Sequence, residues 1–384
     1  MHLQNIQGHE RESVFVSSIE GLFDAIHVKE IQEQAEKYLR SLSRHIFTLE
    51  ARRSFSKDNG LRRFPSHMFG LYLDALPHAL ARPDEMQASR AKEVVASIIH
   101  DLVEIGHTNG LKTTDLLPTL HQIAARFSAL CFEEAWVRKS AGCAGIMIMA
   151  SMPEVGERWT HAREVDIVRT LLHVLKDVPH DPPRNVSEIM NILTHILRVT
   201  HSSQPSPDGP PEATRQQKVP YLIGIFFSEL SSVHPVVRQA ARTCIELLSE
   251  LNDRSVYDLL RPHRDRVLTS IYVKPLRALP TPIIIGQIEA IRYCVSLNPP
   301  LPELTDELLR LLHEALALAD MDDAMLAQRS NVRAATIEAV QLRVACIKLL
   351  TASMPLTDFF SKQNQTRPRY APVSVEFMFR GSWK

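Results

Sequence analysis

Glycine is scarce in this chain: 13 residues in 384, where average usage of roughly 7% would give about 27. That shortage argues against strand-rich folds and against enzymes built on glycine-rich phosphate loops. Charge of one sign is missing as well. Lys plus Arg and Asp plus Glu number 44 each, so no net field draws the chain to nucleic acid or to a membrane surface. Cysteine is limited to Cys131, Cys143, Cys244, Cys294 and Cys346, with no CxxC among them. Five scattered cysteines on apolar faces indicate neither a disulfide framework nor a zinc site; they read as reduced core thiols of an intracellular protein. No apolar run reaches the roughly 18 residues of a membrane span, and the opening MHLQNIQGHERES lacks the apolar centre of a secretory signal. A soluble, non-secreted protein is expected.

Catalytic signatures are absent too. The sequence holds no GxGxxG, Walker A, HExxH or GxSxG, so no catalytic, cofactor-binding or metal-ligating residue is assigned. Gly142 and Gly145 lie inside an apolar helical run, where they permit close packing rather than cradling a phosphate. One decoy stands out. His263-Arg264-Asp265 spells a protein-kinase catalytic loop, and Asp358-Phe359-Phe360 resembles a metal-binding DFG. The kinase pattern requires Asn five residues after the Asp, and Ser270 stands there; the Gly-rich loop and strand-borne Lys are also missing. The 17 histidines are dispersed, and none stands with a carboxylate or Cys at ligand spacing. His45, His100, His173 and His195 read as helix-surface or satisfied core residues.

What is present is helical periodicity. In VHPVVRQAARTCIELLSEL, residues 233–251, the apolar residues Val233, Val237, Ala240/Ala241, Cys244, Leu248 and Leu251 recur in steps of three and four, one stripe of an α-helix. Pro235 fits its first turn, where a missing N–H is no loss. The apolar run Tyr221–Leu230 precedes it by a few residues, so the local unit is an antiparallel helix pair. Helix, turn, Pro, Val-Arg and Ala-Ala is the pattern of the second helix of a HEAT repeat, with His234 in place of the usual capping Asp. Echoes occur at Val137-Arg138-Lys139-Ser140-Ala141 and at Leu342-Arg343-Val344-Ala345, spaced about two repeats apart. A small residue after each Arg lets helices approach, and Arg138, Arg238 and Arg343 are expected to reach carbonyls or an acid of the neighbouring repeat.

Along the chain the same reading predicts an all-α, HEAT-like α-solenoid of roughly fourteen helices in seven pairs. The pairs fall at 15–26 with 31–49, 65–80 with 84–105, 114–131 with 134–149, 166–178 with 186–199, 219–230 with 236–251, 255–272 with 283–297, and 304–318 with 336–354. Pro77 is expected to kink its helix. Arg52–Arg63 is a basic turn whose only aromatic neighbours are Phe55 and Phe64, so it reads as a solvated loop rather than a nucleic-acid or acidic-peptide site. The resulting organisation is repeats over 1–200, a linker or loop over 201–218 (HSSQPSPDGPPEATRQQK from His201), repeats over 219–354, and an irregular tail over 355–384. Neither the Phe15–Ile26 nor the Thr336–Met354 helix has the polar face of a terminal cap.

Three stretches carry a resemblance: Ile19–Leu49 (IEGLFDAIHVKEIQEQAEKYLRSLSRHIFTL), Cys131–Met149 (CFEEAWVRKSAGCAGIMIM) and, within Asp258–Leu304, LRPHRDRVL, IYVKPLRALP and IGQIEAIRYCVSLNPPLPEL. In this order they resemble the central HEAT region of the transformation/transcription domain-associated protein family, giant relatives of the phosphatidylinositol-3-kinase-like kinases, over about Ile19–Met354. The resemblance implies a nuclear, non-catalytic scaffold of SAGA-type histone acetyltransferase complexes. Its partners would be complex subunits and transcription activators, with nucleic acid at most indirect, no small-molecule substrate and no membrane. It also implies an inactive kinase-like domain that this chain lacks. A transport-receptor or phosphatase-scaffold solenoid, with shorter and more regular repeats, is the alternative of the same class. A non-kinase part of an active kinase is the other alternative. Met1 and the tail Thr357–Lys384, which shows no family-like stretch, lead to the expectation of a partial or mis-spliced gene product.

Overall fold

The computed structural model describes residues 8–55, 66–152, 155–179, 184–202, 211–321 and 335–364, and all of its elements there are helical. The chain divides into two compact units, Met1–Arg215 and Gln216–Lys384. In the first, α1 (Gly8–Ala25), α2 (Gln32–Phe55), α3 (His67–Leu80), α4 (Glu85–Thr108), α5 (Thr113–Leu130), α6 (Trp136–Ser151), α7 (Gly156–Lys176) and α8 (Arg184–His201) follow one another through short turns. First helices stack on first helices, α1 on α3, α3 on α5 and α5 on α7. Second helices stack likewise, α2 on α4, α4 on α6 and α6 on α8. That double layer is how a HEAT-like solenoid grows, each pair burying its apolar face on the next.

The second unit repeats the scheme. It holds α10 (Pro235–Leu251), α11 (Val256–Leu260), α12 (Arg264–Tyr272), α13 (Thr281–Val295), α14 (Asp306–Ala319) and α15 (Ala335–Asn364), preceded by α9 (Glu212–Glu229), which crosses the boundary between the units. Helix α12 packs on α14, and α13 and α14 both pack on α15.

Sequence and structure agree on α10 from Val237 to Leu248, while Val233, expected on the same stripe, precedes the helix and is 41% exposed. Val237, Ala240, Ala241, Cys244, Ile245 and Leu248 are all fully buried, Pro235 is at the helix start, and the His234 side chain makes no capping bond. The glycines of α6 also behave as expected. A Cβ on Gly142 would meet the Phe127 carbonyl and the Cys131 sulfur, and one on Gly145 would enter the Phe127 ring. Close approach of α6 to α5 therefore depends on both.

Other boundaries differ, each for a physical reason. Helix α7 starts ten residues before the expected Asp166; its first turns read as polar, but Trp159, Thr160 and His161 are buried there. The expected single helix over 255–272 is broken at Pro262, where a 3-10 turn, Arg261–His263, separates α11 from α12. Pro lacks the N–H that a continuous helix needs. Pro77 lies in the last turn of α3, which ends at Leu80.

The expected linker contains helical residues at both ends: His201 closes α8 and Glu212–Lys218 open α9. Residues 203–210 of it lie outside the described residues, as do 56–63 of the basic turn, whose Arg52 and Arg53 instead belong to the last turn of α2, and 365–384 of the tail; so do 64–65, 180–183 and 322–334. Helix α15 continues through Pro355 to Asn364, past the expected end at Met354.

Candidate interaction surfaces

The repeat-signature arginines all turn back into their own pair. Arg238, itself buried, donates from Nη1 to the Ser232 and Val233 carbonyls at 2.7 and 3.2 Å, in the turn between α9 and α10. Arg343 donates to the Ala319 and Met321 carbonyls at 3.1 and 2.6 Å, at the end of α14. Arg138 pairs with Glu133, 3.1 Å away in the α5–α6 turn. In two of the three pairs the guanidinium binds backbone carbonyls of the turn: Ser232 and Val233 beyond α9, and Ala319 and Met321 at and just past the end of α14. The expectation that these arginines reach the next repeat is thus corrected: an Arg in the first turns of a second helix starts beside the turn just left.

Neighbouring pairs are tied by other residues. The Asp101 carboxylate of α4, almost wholly buried, accepts from Arg44 at 2.7 Å and Arg40 at 3.4 Å on α2. Lys139, buried in α6, donates to Asp177 beyond the end of α7 at 2.5 Å. Arg242 of α10 donates to Glu289 of α13 at 2.8 Å, and Arg292 joins at 2.7 Å. Burial opposes ionisation of Glu289, but hydrogen bonds from Arg242 and Arg292 prevail and hold its carboxyl below the ordinary value of 4.5. A carboxyl lowered in the folded chain stabilises it above the ordinary value and loses that contribution as pH falls through the lowered one. Glu289→Gln is therefore expected to melt below wild type at pH 7, with the gap narrowing once pH drops under about 4.5. Melting curves from pH 7 to pH 3 check this; a constant gap would contradict the assignment.

One cluster was invisible in the sequence. His201 Nε2 lies 2.8 Å from Glu164 Oε1, with both side chains excluded from solvent, and the Thr200 hydroxyl donates to the same oxygen. The expectation was that no histidine stands with a carboxylate at ligand spacing along the chain, and this pair does not stand at such a spacing. The partners are 37 residues apart, on α7 and α8, so spacing along the chain carried no signal. Just beyond, Arg215 Nη1 donates to the Ser202 carbonyl at 2.9 Å, drawing the start of α9 to the end of α8. Chemically, Glu164, Thr200 and His201 form a buried polar clamp between α7 and α8. His45 and His100 are exposed as expected, His173 lies against Phe132 with ring centroids 4.8 Å apart, and His195 faces the Ala150 carbonyl.

The kinase-like letters take up structural positions. Asp265 is exposed in the first turn of α12 and accepts from its neighbour Arg264 at 2.9 Å, while Arg264 also reaches Glu303 at 2.8 Å. His263 is held against the backbone of Pro220, and burial, then the Arg266 guanidinium, push its imidazole below the usual pKa. Ser270, where a kinase has Asn, donates to the Val267 carbonyl of its own helix. Asp358 belongs to α15. All five cysteines are free and buried, and burial pushes the thiols of Cys244, Cys294 and Cys346 up to about 12.

Among the described residues, α15 carries a long run of exposed apolar side chains. Ile337, Val340, Val344, Ile347 and Met354 are each at least two-fifths exposed. They recur in steps of three, four, three and seven, a single stripe. The opposite face, with Leu342, Ala345, Cys346, Leu349 and Leu356, is buried toward α13 and α14. Being apolar on both faces, Ile337–Leu356 is long and apolar enough to cross a membrane by length and composition, which the sequence reading had not found. Its buried face and the Arg343 bonds to the end of α14 build it into the second unit instead. A smaller exposed set is Tyr38 and Leu49 on α2, with Ile31 just before its start.

A family profile described as the Tra1 HEAT repeat ring region matches residues 2–375. The match is wider than the expected Ile19–Met354 and takes in the tail as far as residue 375. Among curated relatives, the SAGA complex/NuA4 acetyltransferase complex subunit Tra1 of Schizosaccharomyces pombe is 34% identical over 268 residues, 68% of this chain and 7% of that protein. The SAGA complex/NuA4 acetyltransferase complex subunit TRA1 of Saccharomyces cerevisiae is 27% identical over 393 residues, 97% of this chain and 10% of its own length. The human transformation/transcription domain-associated protein is 22% identical over 382 residues, covering 91% of this chain and 10% of its own. The chain thus spans a tenth or less of the curated relatives it matches.

Proposed function

The chain belongs to the Tra1 HEAT repeat ring family, and from that membership we propose that it is a non-catalytic scaffold segment of a transcription coactivator subunit in SAGA- and NuA4-type acetyltransferase complexes. Its partners in this reading are complex subunits and transcription activators, and its place of work is the nucleus. The observation that carries the reading is the α15 stripe: a helix whose second face is also apolar is made to be covered by another helix pair. Stacked pairs tied by Asp101, Lys139–Asp177 and Arg242–Glu289 supply the rigidity that a spacer in a large assembly needs.

The test is to tag the endogenous gene product and purify it at mild salt. Recovery of acetyltransferase-complex subunits is the expected result. A product that brings down none of them, or brings down transport factors instead, contradicts the reading. So does Asp265-dependent phosphoryl transfer by the purified chain.

A further inference from the structure

Two of the five thiols sit together. Cys131 caps the end of α5 and Cys143 lies midway along α6. The Cys131 sulfur is 3.6 Å from the Phe127 carbonyl of its own helix and 4.0 Å from the Lys139 carbonyl of α6. A Cβ on Gly142 would come within 2.7 Å of it. Lys139 stands one turn before Cys143 and Gly142 is its neighbour in the chain, so the glycine leaves the space in which the two sulfurs meet. The Cys143 thiol hydrogen-bonds to Cys131. An S–H directed at the Phe127 carbonyl leaves the Cys131 lone pairs to accept it.

The two sulfurs differ in access. Cys131 has no solvent exposure. Cys143 instead lines an open hollow of about 550 Å³ over α6, beside Ser140, Ala144 and Met147. A water takes a share of only about 30 Å³ in the liquid, so a peroxide of similar size fits the hollow easily. We propose that Cys131 and Cys143 are a peroxide-sensitive thiol pair, oxidised to an intramolecular disulfide that fastens the end of α5 to α6. In the first step the Cys143 thiolate attacks hydrogen peroxide. An S–O bond forms, the O–O bond breaks, and hydroxide leaves with the thiol proton as water. The Cys131 sulfur then attacks Cys143; the S–S bond forms, the S–O bond breaks, and a second water carries off the Cys131 proton. The pair loses two electrons and the peroxide gains them. Two molecules of a small thiol reverse the bond through a mixed disulfide and leave as their own disulfide.

The hydrogen bond to Cys131, then burial, push the Cys143 thiol well above its ordinary pKa, and Glu188 across the hollow adds to this. Lys92 and Glu93 of α4 are the other charged groups lining the hollow. The thiolate is therefore scarce at neutral pH, and oxidation is expected to be slow there and to accelerate by about tenfold per pH unit.

The experiment exposes the full 384-residue chain to hydrogen peroxide, alkylates the remaining thiols and maps tryptic peptides without reduction. Arg138 and Lys139 lie between the two cysteines, so trypsin leaves their peptides joined only by a disulfide. The joined pair is expected, in a chain that stays monomeric, to form at least tenfold faster than Cys244, Cys294 or Cys346 is lost, and to be reversed by glutathione. Cys131→Ser is expected to leave a sulfenic acid on Cys143 that dimedone traps. Cys143→Ser is expected to slow oxidation of Cys131 at least tenfold. Loss of Cys131 and Cys143 no faster than of Cys244 would mean that they react only on global unfolding, and would overturn the proposal. Joined peptides found only in covalent dimers would do the same, as would a folded Cys131→Ser chain with no dimedone adduct at Cys143. The wild-type measurement decides alone if a serine variant fails to fold.

Discussion

Val237→Asp is expected to lower the melting temperature of the chain by about 8–16 °C. Val237 has no solvent exposure and sits in the first turns of α10, on the stripe it shares with Ala241, Cys244 and Leu248. Burial there removes the water that would solvate a carboxylate, and the surrounding stripe is apolar. An uncompensated charge in such a site costs several kcal/mol, on the order of 4, and each kcal/mol shifts melting by about 2–4 °C in a domain of this size. Gln239→Asp, two residues on and exposed, is the control, expected within about 0.5 kcal/mol of wild type. A Val237→Asp chain that melts with wild type would show that the register drawn for α10 is wrong.

That register was legible because α10 obeys one rule over its whole length: apolar residues in steps of three and four with proline at the start. The same rule located the core of most other helices. It failed where other forces set the boundary. The start of α7 was missed because its buried residues include Thr160, His161 and Glu164, whose polarity masks the periodicity. The clamp of Glu164, Thr200 and His201 could not be read at all, since pairing across stacked helices leaves no mark in spacing along the chain. The roles of Arg238 and Arg343 were half legible. Their place in the repeat pattern pointed to an Arg that reaches carbonyls or an acid, but only the turn geometry shows that the acceptors are carbonyls of the same pair. The α15 stripe was legible as an excess of apolar residues without a polar face. Which half of that excess is buried became visible only once α13 and α14 were seen to cover the Leu342–Leu349 side.

The exposed half of α15 predicts how the isolated chain behaves in solution. Val340 and Ile347 are 56% and 51% exposed, and with Ile337 and Val344 they form a continuous seam. Seams of three-four spacing are the surfaces on which helices pair, and a free one draws a second apolar face to it. The purified chain is therefore expected to self-associate as its concentration rises. Val340→Glu with Ile347→Glu is expected to shift it to monomer. Fully burying a side chain of this kind contributes roughly 1.5–3 kcal/mol, and about 1.4 kcal/mol is tenfold in an association constant, so the pair is worth roughly two orders of magnitude or more. Both residues face away from α13 and α14, so the melting temperature should move by only about a degree or two. Sedimentation velocity over a concentration series, beside melting curves, separates the outcomes. A wild-type chain that stays monomeric throughout, or a double variant that associates as strongly as wild type, would remove the stripe as a contact surface. In the scaffold reading proposed above, the same seam is what the next helix pair of a longer solenoid covers, so self-association of the isolated chain and docking within an assembly compete for one surface. A charged seam should then reduce recovery of complex subunits.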